Sequence, residues 1–419
     1  MIEIQSVKTH DLRFPLEQGA GVDAVHGNPV YSYAVTELTT NTNLRGFGGT
    51  FTLGAGNDVV CQLAQELAQP LIGQEIESLM ENWGACSRSI ADHHQYRWIG
   101  PHKGAVHLAL ASITNACFDL WAKARHVPLW RLLLDLTPRR ILALLDLSYV
   151  EDVLDESAAL SLLEHAYTTR DQRTHILEEG YRAYDTSVGW FNYSDEHIVA
   201  NARKAVEHGF NAMKLKVGSK DVERDLRRVH LVREAVGENC TIMVDANQQW
   251  RWPVAMHACR ELAKLNVYWI EEPTHPDDVL GHQRLAQAVN PVRIAVGEHI
   301  ANRVLFKNFM LAGAARIIQV DALRVAGISE FITVSLLAKH FNLTVIPHVG
   351  DVGQLHQHMV LFNHIALDLP NAFLECIPHL REQFIYPARI ENGRYLTPDT
   401  PGASFDLRSL TPITGTSAT

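Results

Sequence analysis

"NAMKLKVGSKDVERDLRRVHLVREAVGENCTIMVDAN", residues 211–247, holds the pattern that decides the fold. A short strand around Lys214 and Lys216 enters a glycine loop at Gly218, an amphipathic helix runs on to Gly237, and a second strand ends at Asp245. Upstream, Ser194 stands where a helix N-cap belongs, ahead of Asp195 and Glu196, and Gly209 ends that helix just before the strand. Downstream the same alternation continues through "VYWIEEP", "RIAVGEH", "RIIQVDA" and "TVIPHVG". Strands alternating with helices imply βαβ units and a parallel sheet.

Each of these strands finishes on an ionisable side chain. Lys216, Asp245, Glu271, Glu298, Asp321, His348 and Glu375 follow one another at intervals of 29, 26, 27, 23, 27 and 27 residues, one βα unit each time. A further strand near "YRAYDTSVGW" makes eight, so the fold class is α/β, a (β/α)8 barrel of roughly 250 residues. The polar groups would then converge at the carboxyl-terminal mouth. The amino-terminal part reads differently: "YSYAVTELTT" and "LRGFGGTFTLG" alternate about a turn at "NTN", and helices follow, the first with Asn57 as its expected N-cap. That is a separate α+β unit.

Composition narrows the function classes. The 419 residues carry 37 lysines and arginines against 47 acidic residues, a formal charge of -10 without any block of like charge, which argues against a nucleic-acid partner. "MIEIQSVKTHDLRFPL" alternates like a strand and lacks the apolar core of a signal peptide, and no uninterrupted apolar run approaches about 18 residues. No membrane span is expected. Six cysteines without CxxC spacing suggest neither zinc nor a disulfide framework, and a reduced, cytoplasmic setting is the expectation.

An acidic residue after a strand is often only the N-cap of the next helix. Three in consecutive units, Asp245, Glu271 and Glu298, are harder to read that way, because their mutual repulsion calls for a cation and an all-oxygen set selects a hard ion such as Mg²⁺. In "WIEEP" alternation sends Glu271 and Glu272 to opposite faces, so one of the two is expected at the metal. Among 22 histidines, His348 stands out by its position after "TVIP". Asp321, one unit earlier, is placed to hydrogen-bond its ring and raise the pKa of the free nitrogen. Lys214 and Lys216 share a strand face about 7 Å apart. At an effective dielectric near 20 their repulsion is about 2.4 kcal/mol, so Lys214 is expected to help keep Lys216 neutral and able to act as a base.

Taken together, "KLK", "VDAN", "WIEEP", "GEH", "QVDA" and "PHVG" resemble the enolase superfamily in its mandelate racemase subgroup. "RAYDTSVGW", "YSDE", "DANQQW", "WIEEPTHPDDVLGH", "GEHIANRVLFKNFM", "NGRYLTPDTPG" and "GVDAVHGNPVYS" resemble the L-fuconate dehydratase family, over almost the whole chain. The resemblance implies an α+β capping domain from residues 1–139, a catalytic barrel from 140–380, and a tail, 381–419, that returns to the cap. It implies Mg²⁺ on Asp245, Glu271 and Glu298, with Lys216 as one acid/base group and His348 with Asp321 as the other. Glu375 is expected near the substrate carboxylate, and Gly21, Val22, Asp23 and Tyr31 of the cap, with Asn247 of the barrel, around an acid sugar. The implied reaction removes water from an aldonic acid such as L-fuconate to give a 2-keto-3-deoxy acid, and related barrels assemble as homo-oligomers through the cap. The chain departs from that family at "HVGDVGQLHQH", where Asp351 adds a carboxylate beside His348 and is expected to meet the substrate. An epimerase or racemase, a dehydratase of another acid sugar such as an aldarate, and a non-catalytic scaffold are the competing readings.

Overall fold

The computed structural model describes residues 1–17 and 19–411. Three strands, β1 (Ile4–Pro15), β2 (Val30–Thr40) and β3 (Arg45–Thr52), form an antiparallel meander in that order. The helix Gly104–Ala124 lies against β3 so closely that a Cβ on Gly48 would meet the backbone of Ala116 and Ser112. That helix is long and apolar enough to cross a membrane, yet 89% of its apolar window is buried inside the protein. It is the core helix of the cap. Asn57 does not cap the following helix, Asn57–Leu67, as expected. Gly56 holds that position, and the Asn57 side chain is instead bonded to Asp11, Thr52 and the Tyr33 carbonyl, tying β1 and β2 to the helix.

Eight parallel strands follow, each short and apolar: β4 (Tyr181–Gly189), β5 (Ala212–Lys216), β6 (Thr241–Asp245), β7 (Trp269–Glu271), β8 (Arg293–Val296), β9 (Ile317–Ile318), β10 (Thr344–Val345) and β11 (Phe373–Cys376). The ladder runs unbroken from β4 to β10, and β11 closes on β4 with Glu375 opposite Tyr184. Among the described residues β10 and β11 do not pair, so the barrel has a seam there. Tyr184, Met243, Trp269, Ile317, Ile346 and Phe373 fill one layer of its interior. The helices between strands start and stop where the local chemistry directs. Ser194 accepts from the His197 amide at 3.2 Å, and Gly237, with φ 78°, ends the helix Val222–Val236.

The tail does two things in succession. A hairpin of β12 (Ile390–Glu391) and β13 (Arg394–Tyr395) adds to the outer edge of β4, which makes this stretch part of the barrel wall. The chain then reaches the cap, where Phe405 packs edge-on against Tyr33 and the Ala403 amide donates to Asp119 at 2.6 Å.

Candidate active site

The carboxyl ends of the barrel strands place the ionisable series around one mouth. Asp245 ends β6 and Glu271 ends β7, while Glu298 lies two residues beyond β8; their oxygens come within 4.8 Å of one another. Asp245 is fully buried and Glu271 nearly so. Burial, then the charge of Asp245, pushes the Glu271 carboxyl up to about 8. Three crowded hard-oxygen donors of this kind fit Mg²⁺, whose charge would relieve the repulsion. Glu272 accepts from Gln248 and His299 and groups with Glu298 and His299, apart from Asp245 and Glu271.

Two proton-bearing groups flank the triad. On one side Lys216 Nζ sits 2.5 Å from Asp245 Oδ2; on the other, His348 Nε2 sits 2.8 Å from Glu298 Oε2. His348 Nδ1 donates to Asp321 Oδ2 at 2.8 Å, which leaves Nε2 as the nitrogen turned to the mouth. Burial alone would lower the His348 pKa, but Glu298 and Asp321 outweigh it and hold the ring well above its ordinary value.

Lys214 corrects the expectation of simple repulsion. Its ammonium is fully buried and paired with Glu271 at 2.9 Å and Glu375 at 2.8 Å, so its charge is spent on two carboxylates. Lys216 is not held neutral in this arrangement. Burial and the Lys214 charge lower its pKa, yet Asp245, Asp23 and Glu298 override them and raise it. Glu375, facing Lys214, shows the opposite balance: burial would raise it, but Lys214, His348 and Lys216 bring it down to about 2. Thr186 Oγ1 donates to its Oε1 at 2.5 Å and the Val349 amide to its Oε2 at 3.0 Å.

A cavity of about 420 Å³ opens above these groups, between cap and barrel. Gly21, Asp23, Tyr31, Asn247, Lys216, Glu298, His348 and Glu375 line it. Asn247 is 3% exposed, and its buried side-chain oxygen has no partner among the described residues. Asp23 accepts from the backbone amides of Val25 and His26, both at 2.7 Å, and thereby shapes its own loop. Val22 does not line the cavity; its carbonyl accepts from the Phe191 amide and docks the cap loop on the barrel. Asp351 lies in the cavity wall, as expected, and its two oxygens are held by groups of the protein. One oxygen takes Arg381 Nε at 3.0 Å, the other the Tyr395 hydroxyl and the Ile377 amide.

Residues 8–133 match the family described as Mandelate racemase / muconate lactonizing enzyme, N-terminal domain, and residues 197–410 the family described as Enolase C-terminal domain-like. The chain belongs to the enolase superfamily. The crystal structure of human Mitochondrial enolase superfamily member 1 superposes with a TM-score of 0.93 at 38% identity, covering 97% of this chain and 94% of that one. L-galactonate dehydratase of Hypocrea jecorina is 36% identical over 97% of this chain and 92% of its own length. L-talarate/galactarate dehydratase from Salmonella typhimurium LT2, solved with Mg and L-lyxarohydroxamate, is 25% identical with a TM-score of 0.76, over 97% of this chain and 91% of that one.

This superfamily member also has wall residues that strand-end spacing does not reveal. His299 follows Glu298 directly and contacts both Glu298 and Glu272, at 3.2 and 3.1 Å. Trp190, at the end of the "SVGW" stretch, places its ring 5.8 Å from Lys216 Nζ. Adjacency to a strand-end carboxylate was the available signal for His299. For Trp190 there was only its place one residue past β4.

Proposed function

We propose that the protein is a Mg²⁺-dependent hydro-lyase that removes water from an acid sugar. The observation that carries this is the flanking of one carboxylate triad by Lys216 at 2.5 Å from Asp245 and His348 at 2.8 Å from Glu298. The named dehydratases among the relatives support the reaction class.

The hydrogen on the carbon beside a carboxylate is a very weak acid, so its removal needs the resulting dianion stabilised. Asp245, Glu271 and Glu298 would hold Mg²⁺, which would supply positive charge to stabilise that dianion. Lys216 and His348 stand on two sides of that place, one to take the α-proton and one to protonate the departing hydroxyl of the next carbon. Asp321 orients the imidazole so that Nε2 does this work. The proton on Lys216 is held by Asp245, and engagement of that carboxylate elsewhere lets Lys214's repulsion favour the free amine. The enol left by loss of water tautomerises to a 2-keto-3-deoxy acid.

The far wall supports the substrate class we favour. Phe51, Leu53, Val60 and Leu108 make the cap side of the cavity apolar, which suits an aldonic acid with one carboxylate, L-fuconate or a close relative. A diacid is the second reading, and Arg324 favours it: this guanidinium lines the cavity and donates to the Glu298 and Phe51 carbonyls, with no carboxylate partner among the described residues. Incubating a panel of aldonic and aldaric acids with Mg²⁺ and assaying 2-keto acid tests both. Keto acid from the monoacids supports the proposal and keto acid only from diacids replaces its substrate. Solvent exchange with inversion and no keto product makes the protein an epimerase.

A further inference from the structure

We propose that Asp351, Arg381 and Tyr395 form a lock across the seam of the barrel, positioning His348 against Glu375. This rests on the reading of His348 as an acid/base group. Strand β10, which leads into the loop that carries His348, and strand β11, which carries Glu375, are the neighbours that do not pair among the described residues, so no backbone ladder sets their spacing. The loop after β10 must be held by other means.

That loop is also strained. Val349 has φ 61°, a left-handed conformation that a β-branched side chain rarely takes and that persists only where its surroundings impose it. On one side the Val349 amide donates to Glu375 Oε2 at 3.0 Å. At Gly350 the loop passes so close to β11 that a Cβ would collide with the Glu375 carbonyl and the Tyr395 hydroxyl. On the other side Asp351, 1% exposed, is gripped from beyond the seam. Arg381 Nε donates to Oδ2 at 3.0 Å with Arg381 Nη2 on the same oxygen, and the Ile377 amide donates to Oδ1 at 3.3 Å. The Tyr395 hydroxyl donates to Oδ1 and stands 2.5 Å from the Glu375 carbonyl, touching both sides of the seam at once. Tyr395 is fully buried and belongs to the hairpin strand β13, so its phenol ties that hairpin to the loop after β10.

Asp351, Arg381 and Tyr395 are therefore positioning residues, acting on turnover through the loop they anchor. Misplacing a reacting group by about 1 Å costs about 100-fold, so Asp351→Asn should lower kcat about 10- to 100-fold. Since Arg381, Tyr395 and the Ile377 amide hold both Asp351 oxygens, the KM should stay within about twofold. Tyr395→Phe, which removes one hydroxyl, should show a smaller loss of the same kind, and the double variant should lose little beyond Asp351→Asn because both break one lock. Hydrogen–deuterium exchange of residues 346–353 should speed up in each variant while residues 241–247 keep their rate. Unchanged kcat, a raised KM at unchanged kcat, or unchanged exchange over 346–353 would overturn the lock. If Asp351→Asn does not fold, Tyr395→Phe decides the matter by the same readouts. Should the wild-type protein turn over no acid sugar, the functional reading fails, and exchange over 346–353 still judges the lock.

Discussion

Lys216 and His348 are few among many lysines and histidines, and what distinguishes them is the group each one touches. Lys216 meets Asp245 and His348 meets Glu298, so each abuts a different member of the triad. Lys216→Ala and His348→Asn should each reduce turnover at least about 10²- to 10⁴-fold, the usual worth of a positioned proton-transfer group, with unchanged circular dichroism. Activity near wild type in either variant contradicts the assignment. Lys214 acts at the same scale by a different route. Removing its charge leaves Glu271 and Glu375 buried without their cation, so Lys214→Met should cost about 3–5 kcal/mol in denaturant unfolding of the metal-free protein. A loss under about 1 kcal/mol would mean the pairing is not holding those carboxylates. Strand alternation put Lys214 and Lys216 on one face and made both visible in the sequence. It could not show that Glu271, 57 residues on, is Lys214's partner, nor that Asp245, Asp23 and Glu298 together outweigh Lys214 at Lys216.

Among the elements, those that follow local rules were the legible ones. Strand β6 ends on Asp245 and β7 on Glu271 because an apolar buried strand must stop where the chain reaches the polar mouth, and such stops recur with each βα unit. The loop after β10 obeys no local rule. Asp351 stood out in the sequence as an extra carboxylate beside His348, but that Arg381 and Tyr395, 30 and 44 residues on, hold it carries no sequence signature. The junction of cap and barrel is hidden in the same way. There Glu330 of the barrel helix Ile328–His340 contacts His107 of the cap helix and accepts from the Arg303 amide at 3.0 Å. Burial would raise the Glu330 pKa, but His107 and Arg303 outweigh it and hold the carboxyl well below its usual range. A depressed carboxyl stabilises the fold above its unfolded pKa of about 4.3, and the contribution disappears as pH falls below that toward the folded value. Glu330→Gln should therefore lower stability by about 3–5 kcal/mol at pH 7, a gap that narrows below about pH 4. Parallel unfolding curves at all pH values would show the pair contributes no such linkage.

Over the whole molecule, cap, barrel and tail combine to bury a repulsive carboxylate cluster beneath a cavity between cap and barrel, an arrangement whose stability should respond to a cation. A ligand that binds only the native state adds about 2.7 kcal/mol when present at 100 times its Kd. Mg²⁺ should raise Tm, and chelation should reverse the rise; Asp245→Asn should abolish the response while keeping the fold. The barrel and its cap were legible because their periods are written in the chain. The tail was not, since two short strands, Ile390–Glu391 and Arg394–Tyr395, carry too little pattern to show that they join the barrel before the chain returns to the cap. What unites these scales is the claim that a divalent cation and two opposed proton carriers act on the carbon beside a carboxylate. The most direct test follows the α-hydrogen of L-fuconate by proton NMR in D₂O with the enzyme and Mg²⁺. The account predicts that this signal is lost as a 2-keto-3-deoxy acid forms, and that chelation stops both. An α-hydrogen that persists in L-fuconate and in every other acid sugar offered would contradict it.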